Sequence, residues 1–263
     1  MPRGGRTLFP KYRLVGYSGG EASKAFGRLG VGKLDERVQE MERTGRSYTA
    51  GGRQVLPVLE LITVIVHGTP GKDGQYRSRI DDAQIARYLA AARRHKALLL
   101  LNIQPGRADF LPEVQGLQRW LAEPDVGIAL DPEWAVGKGQ VPGRVFGRTT
   151  AKELNSVATY LSGFTLAHDL PEKAMVVHQL ASRIIFRIQD VEAHDGVQIL
   201  LSVDGIGSRE AKEETWHKLV KPLPKAVRPG FKLFFEEDRE HGRLMTAAQV
   251  LALKPTPDYV LYE

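Results

Sequence analysis

Short apolar runs recur along the whole chain, separated by segments in which apolar residues return every three or four positions. The runs are Tyr12–Ser18, Pro57–Val66, Ala97–Gln104, Val126–Trp134, Lys173–Gln179, Val197–Asp204, Gly230–Asp238 and Asp258–Glu263, eight in all. Most are apolar continuously rather than in alternation, the pattern of strands buried on both faces of a parallel sheet. Pro57 has no N–H to give to a ladder, so the second strand is expected to begin at or just after it.

The intervening segments carry helix signals. Asp81–Lys96 puts Ile85, Tyr88, Leu89 and Ala92 on one stripe, with acids at its start and bases at its end to match the helix dipole. Thr150 with Glu153, and Thr246 with Gln249, have the spacing of capping boxes. Asp109 is placed to cap a helix over Phe110–Glu123, and Ile184, Ile185, Ile188 and Val191 make a further helical stripe. Ala211, Thr215 and Leu219 make a weaker one.

Eight strands alternating with helices predict an α/β chain folded as a single (β/α)₈, TIM-like barrel, because right-handed βαβ units of that number close on themselves. The barrel is expected to span residues 1–263, with residues 1–11 as an N-terminal extension. The competing architecture is an open doubly wound sheet, but no Gly-x-Gly-x-x-Gly follows the first strand and no shift of composition marks a second domain. The Gly- and Pro-rich stretches Gly68–Gly74 and Gly137–Gly147 follow strands two and four, and so belong over the C-terminal face of the barrel. Pro222–Gly230 precedes strand seven and belongs on the opposite face.

Composition narrows the class without deciding it. The chain has 263 residues, no cysteine and a net charge of +6. Disulfides, Cys-ligated metals and a Cys nucleophile are excluded. The basic residues are scattered among acidic ones rather than gathered on one face, so no nucleic-acid partner is expected. No apolar stretch reaches the roughly 20 residues of a membrane span, and no signal peptide is visible, although the N-terminus is basic. Such a chain is secreted or in the cell envelope if a leader was removed, and otherwise cytoplasmic. A monomer is expected.

The candidate chemistry lies where the strands end. In a barrel those ends face the pocket, and residues two apart point the same way. They supply Tyr17 and Ser18, Glu60, Asn102 and Gln104, Asp131 and Glu133, His178 and Gln179, Ser202 and Asp204, and Glu236, whereas the N-terminal ends offer almost nothing comparable. In Leu130-Asp131-Pro132-Glu133-Trp134 the two carboxylates are spaced to project to one side, and paired carboxylates split their pKa values into an acid and a base. Trp134 is placed to stack on a sugar ring. Glu236, at the end of strand seven, is expected across the barrel from Glu133, or else in a solvated turn of three acids. Asp204 is either functional or a helix cap. Glu60, between Leu59 and Leu61, is costly to bury unless a base or amide pairs with it. His178 and Gln179 are candidates for substrate hydrogen bonds, with a satisfied core histidine as the alternative. Arg107 either holds an anionic substrate group or pairs with an acid at the rim.

Three further patterns are weaker. Gly16-Tyr17-Ser18-Gly19-Gly20 matches a nucleophile elbow but follows the first strand, too early for that fold. Gly68-Thr69-Pro70-Gly71-Lys72 is too short for a phosphate loop. No cofactor signature is present. Glu60, Asp131, Glu133, His178 and Asp204 could instead assemble a site for a hard divalent cation.

The segments Glu60-Leu61-Ile62, Gln104-Pro105-Gly106-Arg107, Leu130-Asp131-Pro132-Glu133-Trp134, Val177-His178-Gln179, Asp204-Gly205 and Phe231-Lys232-Leu233-Phe234 together resemble an uncharacterised family of actinobacterial hypothetical proteins. The resemblance covers nearly the whole chain and brings no activity with it. It implies the barrel portion of an envelope or secreted protein. More distantly, the layout is similar to glycoside hydrolase barrels, a likeness of fold alone. The expected function is cleavage of a polysaccharide or glycoconjugate by two carboxylates, with Glu133 as acid and Asp131, Asp204 or Glu236 as its partner. A metal-dependent hydrolase or phosphodiesterase using the same acids, and a non-catalytic barrel that binds a glycan or a protein, are the alternatives.

Overall fold

The computed structural model describes residues 1–21 and 26–263. Eight parallel strands close into a barrel: β1 (Tyr12–Gly19), β2 (Gln54–Val66), β3 (Leu98–Ile103), β4 (Val126–Leu130), β5 (Lys173–Gln179), β6 (Val197–Val203), β7 (Val227–Leu233) and β8 (Tyr259–Tyr262). Each pairs with its neighbour in chain order, and β1 pairs with both β2 and β8, which closes the ring. This is the single TIM-like barrel the apolar runs predict.

The helices that cover the outside are α1 (Leu34–Gly45), α2 (Asp82–Arg94), α3 (Phe110–Gln115), α4 (Gln118–Leu121), α5 (Ala151–Ala167), α6 (Arg209–Val220), α7 (Glu237–Glu240) and α8 (Ala247–Ala252). Asp81 with Gln84, and Thr246 with Gln249, close full capping boxes. Thr150 caps α5 through the Glu153 amide, but the Glu153 carboxylate goes elsewhere, accepting from Thr149 Oγ1 at 2.6 Å and from the Phe110 amide at 3.2 Å. It thereby does for α3 what Asp109 was expected to do, since the Asp109 side chain makes no cap bond.

Four expectations need correction. The helix expected over Phe110–Glu123 breaks at Gly116 and Leu117 into α3 and α4. The stripe Ile184, Ile185, Ile188 and Val191 is buried but not helical: Ile185–Phe186 pairs with Thr149–Thr150 as a short parallel ribbon. Arg187 in the left-handed region, at φ 59°, then leads into a single 3₁₀ turn, Ile188–Asp190. Pro57 lies within β2, which pairs with β1 from Gln54 onward and joins β3 only at Val58, so Pro57 precedes the second ladder. Finally, β7 runs Val227–Leu233 rather than Gly230–Asp238.

The period-2 alternation divides the core in two. Outward residues such as Val15, Leu59, Leu101, Ile128, Met175, Leu201 and Val260 pack against the helices. Inward residues, among them Tyr12, Leu14, Val58, Leu100, Ala129, Val176, Leu200 and Leu261, fill the lower barrel, and Leu8 and Phe9 pack into the same cluster. Gly127 keeps room for this packing: a Cβ there would stand 2.5 Å from the Ala174 carbonyl oxygen and 2.9 Å from Leu100 Cδ2. The N-terminal extension is thus part of the barrel core. Nor is the N-terminal face bare, as the strand ends had suggested. Buried Arg13 donates to the Pro257, Tyr48 and Ala50 carbonyls, and Asp258 binds Arg53 and Arg228. These charges are spent on backbone and on one another.

Leu8 is fully buried in the lower plug, so Leu8→Ala should lower unfolding free energy by about 2–5 kcal/mol through lost burial and a residual cavity. Urea denaturation checks this. A change of under about 1 kcal/mol would mean the extension is not part of the cooperative unit.

Candidate active site

Above the apolar layers the inward positions turn polar. Ser18 follows Leu14 and Gly16 on β1, Glu60 follows Val58 on β2, and Asn102 follows Leu100 on β3. His178 follows Val176 on β5, Ser202 follows Leu200 on β6, and Lys232 follows Gly230 on β7. Register levels them: Ser18 pairs with Glu60, and His178 with Ser202. Just past the end of β6, Asp204 reaches the same layer, where Ser202 donates to it.

His178 bridges two acids. Its Nδ1 donates to Asp204 Oδ2 at 2.7 Å and its Nε2 to Glu60 Oε1 at 2.9 Å. Burial favours the neutral ring, but Asp204, Glu60 and Asp131 outweigh it and hold the imidazolium protonated well above its ordinary range. Lys232 Nζ lies 3.2 Å from Asp204 Oδ2 and 2.7 Å from Glu263 Oε2. Burial likewise opposes its charge, and the surrounding carboxylates, Asp204 and Glu263 foremost, keep it cationic. At Asp204 burial pushes the carboxyl upward, but His178, Lys232 and hydrogen bonds from His178 and Ser202 hold it well below the usual carboxylate range. Burial pulls Glu60 the same way, and His178, Lys232 and the Tyr259 hydroxyl bring it below its ordinary value. Asn102 Nδ2 donates to Glu60 Oε1 at 3.0 Å and Tyr259 Oη to Glu60 Oε2 at 2.8 Å. Glu60 is therefore the buried acid with amide and basic partners that its flanking leucines implied.

Asp131 and Glu133 have no such compensation. Asp131, just past β4, accepts from Gln104 Nε2 at 3.4 Å and lies 3.9 Å from His178 Nδ1. Burial carries its carboxyl upward, against His178 and Lys232 and with Glu60 and Asp204. Glu133 sits in the 3₁₀ turn Pro132–Trp134, and its buried Oε2 has no hydrogen-bond partner among the described residues. Burial, Asp131 and Asp204 push it up to about 8, against Lys232 and His178. One carboxyl of the site is therefore protonated at neutral pH while another is ionised.

Both line a cavity of about 800 Å³ at the C-terminal face, together with Glu60, Asn102, Gln104, Trp134, Asp204, Lys232 and Glu263. The loops after β2 and β4 contribute His67, Gly68, Gly143 and Phe146 to its wall, as their position after those strands implies. A short strand, Arg77–Arg79, folds back antiparallel to β2, and Arg77 and Arg79 converge on buried Glu113 of α3, fixing the first of these loops.

Four predicted residues fall outside this cluster. Tyr17 points outward into the core, where its hydroxyl meets Thr44 and Glu40 of α1, because it has the opposite parity to Ser18 on β1. Gln179 has the opposite parity to His178 and donates to the Ala181 carbonyl. Arg107 donates to the Gln140 carbonyl and stacks over Tyr76, lining a neighbouring cavity instead. Glu236 is exposed ahead of α7 and does not face Glu133, since β7 ends at Leu233. Of its neighbours, Glu237 lines the cavity, while Asp238 is buried against Lys212 at 2.9 Å. What β7 gives the site is Lys232. Its signal in the sequence is a cation two residues past Gly230, between the outward residues Phe231 and Leu233. Tyr259 and Glu263 share the phase of Leu261 in the same way. Ser18 donates to Glu263 at 2.8 Å, so its partner is a carboxylate and not the histidine of an elbow mechanism.

Among the described residues, no group of three His, Asp or Glu side chains is disposed to hold a metal ion. Of the acids that sequence spacing had gathered for one, Glu60 and Asp204 are paired instead with His178 and the Lys232 ammonium. Also among those residues, no helix is long and apolar enough to cross a membrane. No protein-family model and no curated protein matches the chain.

The raised Glu133 group sets a sign for stability against pH. Below about 8 the folded state keeps a proton that the unfolded chain loses above about 4.3, so this carboxyl destabilises the fold increasingly across that interval. Glu133→Gln removes the proton uptake. Its melting temperature should gain on the parent's as pH rises from about 5 to 8 and then hold a constant lead. A difference that stays flat over that range in calorimetry would show Glu133 titrating as an ordinary carboxyl.

Proposed function

We propose that the chain is a glycoside hydrolase acting on a polysaccharide or glycoconjugate by carboxyl acid–base chemistry. The observation that carries this reading is the split within one cavity: Glu133 pushed up to about 8, Asp204 held well below the usual carboxylate range. Hydrolysis of a glycosidic bond needs one carboxylic acid to protonate the leaving oxygen and one carboxylate to face the positive charge that develops on the ring. Glu133, with a protonated and unpartnered carboxyl, serves as the acid. Asp204, kept ionised by His178 and Lys232, supplies the negative charge. Asp131 lies between these roles, beside both His178 and Gln104. Trp134 and Phe234 in the cavity wall give apolar faces suited to sugar rings.

A barrel that only binds a glycan would keep the apolar and amide contacts but has no use for a raised acid beside an ionised one. The metal-dependent alternative loses support because His178 and Lys232 already pair with Glu60 and Asp204, two of the acids it would need.

The test uses the parent and Glu133→Gln on a panel of polysaccharides and of aryl glycosides. Reducing-end release by the parent should fall by about 10²–10⁴-fold in the variant, the scale of a lost general acid. Dinitrophenyl glycosides, whose leaving group needs no proton, should lose far less. The pH profile of the parent should decline on its alkaline side near 8 as Glu133 ionises. Glycan binding without turnover in the parent, unchanged in Glu133→Gln, would overturn the enzyme reading in favour of the binding one.

A further inference from the structure

Beside the main cavity lies a second, of about 510 Å³, whose charge is opposite in character. Its wall carries the cations Arg107, Lys138, Arg148 and Arg183 and the acids Asp109 and Glu153. Glu153 is already engaged, accepting from the Phe110 amide and Thr149 Oγ1. The two cavities share Phe146, and a small groove lined by Glu133, Trp134, Arg144 and Phe146 runs between them. The second cavity thus opens along the same loop that holds the proposed acid.

What sets these cations apart is that four of them gather on one concave wall. Several exposed arginines elsewhere are held by carboxylates, as Arg87 is by Glu21, Arg94 by Asp35, Arg119 by Asp82 and Arg187 by Asp190. Among the described residues, no carboxylate stands within ion-pair distance of Lys138, Arg148 or Arg183, whereas Arg187, next along the same loop, has Asp190. Arg183 lies over the exposed ring of Phe146, with 5.3 Å from guanidinium carbon to ring centre. Arg107 is locked, its Nε and Nη2 on the Gln140 carbonyl and its guanidinium carbon 4.1 Å from the Tyr76 ring centre. The turn that delivers it depends on Gly106 at φ 63°, where a Cβ would stand 2.2 Å from the Gln75 carbonyl oxygen. Several uncompensated cations around a concave wall form an anion site, and guanidinium groups suit carboxylate, sulfate and phosphate oxygens in pairs.

We infer that this cavity is a subsite for an acidic group of the glycan, so that the substrate is a polysaccharide bearing carboxylate, sulfate or phosphate groups next to the bond placed at Glu133. This rests on the hydrolase reading, and the experiment separates the two by measuring binding without turnover. The Glu133→Gln protein is titrated by calorimetry with polygalacturonate fragments, heparin fragments and neutral dextran of equal length. The same titrations are run with Arg148→Gln/Arg183→Gln added, and with the distant Arg209→Gln added as a control. Acidic fragments should bind and dextran should not. The double substitution should weaken binding by about tenfold or more, the scale of lost charge-assisted hydrogen bonds, and the control should not. Affinity should fall as salt is raised. The carboxylate and sulfate arms identify which acid the subsite takes. Equal binding of dextran, or no change on the double substitution, would overturn the inference. So would a single-stranded DNA oligonucleotide that binds as tightly and loses as much, since the groove would then be a general polyanion surface. Acidic fragments that bind here but are never cleaved by the parent would uphold the subsite and sink the hydrolase reading.

Discussion

Two carboxylates buried at the mouth of the barrel, Glu60 and Asp204, are tolerable only because His178 stands between them and Lys232 beside one of them. Removing water from an ionised group costs several kcal/mol, and that cost is offset only where geometry and hydrogen bonds are nearly complete. Here they are: Glu60 is reached by His178, Asn102 and Tyr259, and Asp204 by His178, Ser202 and Lys232. These groups come from β2, β3, β5, β6, β7 and β8, so the network ties the ring of strands together at one level. Losing one partner from such a pair typically costs about 3–5 kcal/mol, because the other is left charged and dry.

The same network sets the electrostatics of the cavity above it. The cations are spent on Glu60, Asp204 and Glu263, and little remains for Asp131 and Glu133 at the loop end of β4. Burial opposes the charge of Glu133 first, and the neighbouring Asp131 and the ionised Asp204 add to it, so Glu133 keeps its proton. The raised acid thus owes its shift first to burial and then to the ionised layer beneath it. Rigidity follows from the same source, since the side chains of that layer are pinned on rigid strands and only Glu133 and Trp134 stand on a turn.

Around the mouth the loops divide the work. The loop after β2 is tied down by Arg77 and Arg79 on Glu113, and the start of the loop after β7 by Asp238, which accepts from the Gly207 and Phe234 amides and pairs with Lys212. The loops after β4 and β5 join through the short ribbon Thr149–Thr150 with Ile185–Phe186. That ribbon brings Arg148 and Arg183 to one cavity although they are far apart in the chain. It also explains why a stripe with helical spacing did not make a helix: its backbone groups found partners across the ribbon, and its isoleucines still reached the core.

The order of strands, the barrel and the end of it that carries polar side chains were legible in the chain, because parallel strands buried on both faces must be apolar throughout and any polar residue in them stands out. Glu60, Asn102, Gln104, Asp131, Glu133, Trp134, His178 and Asp204 were found that way, and all either line the cavity or join the network beneath it. What the chain alone did not decide was phase and reach. Tyr17 and Gln179 lie at strand ends but point outward, one residue out of step with Ser18 and His178, and the inward phase depends on how all eight strands register around the ring. Glu236 was misplaced because β7 stops at Leu233, where its ladder ends. Lys232 is not legible in the chain, because a lysine in an apolar strand has meaning only once Asp204 and Glu263 stand beside it. Local pattern determined which residues could be buried; closure of the barrel decided which of them meet, since a charge can remain inside only where another strand brings its partner.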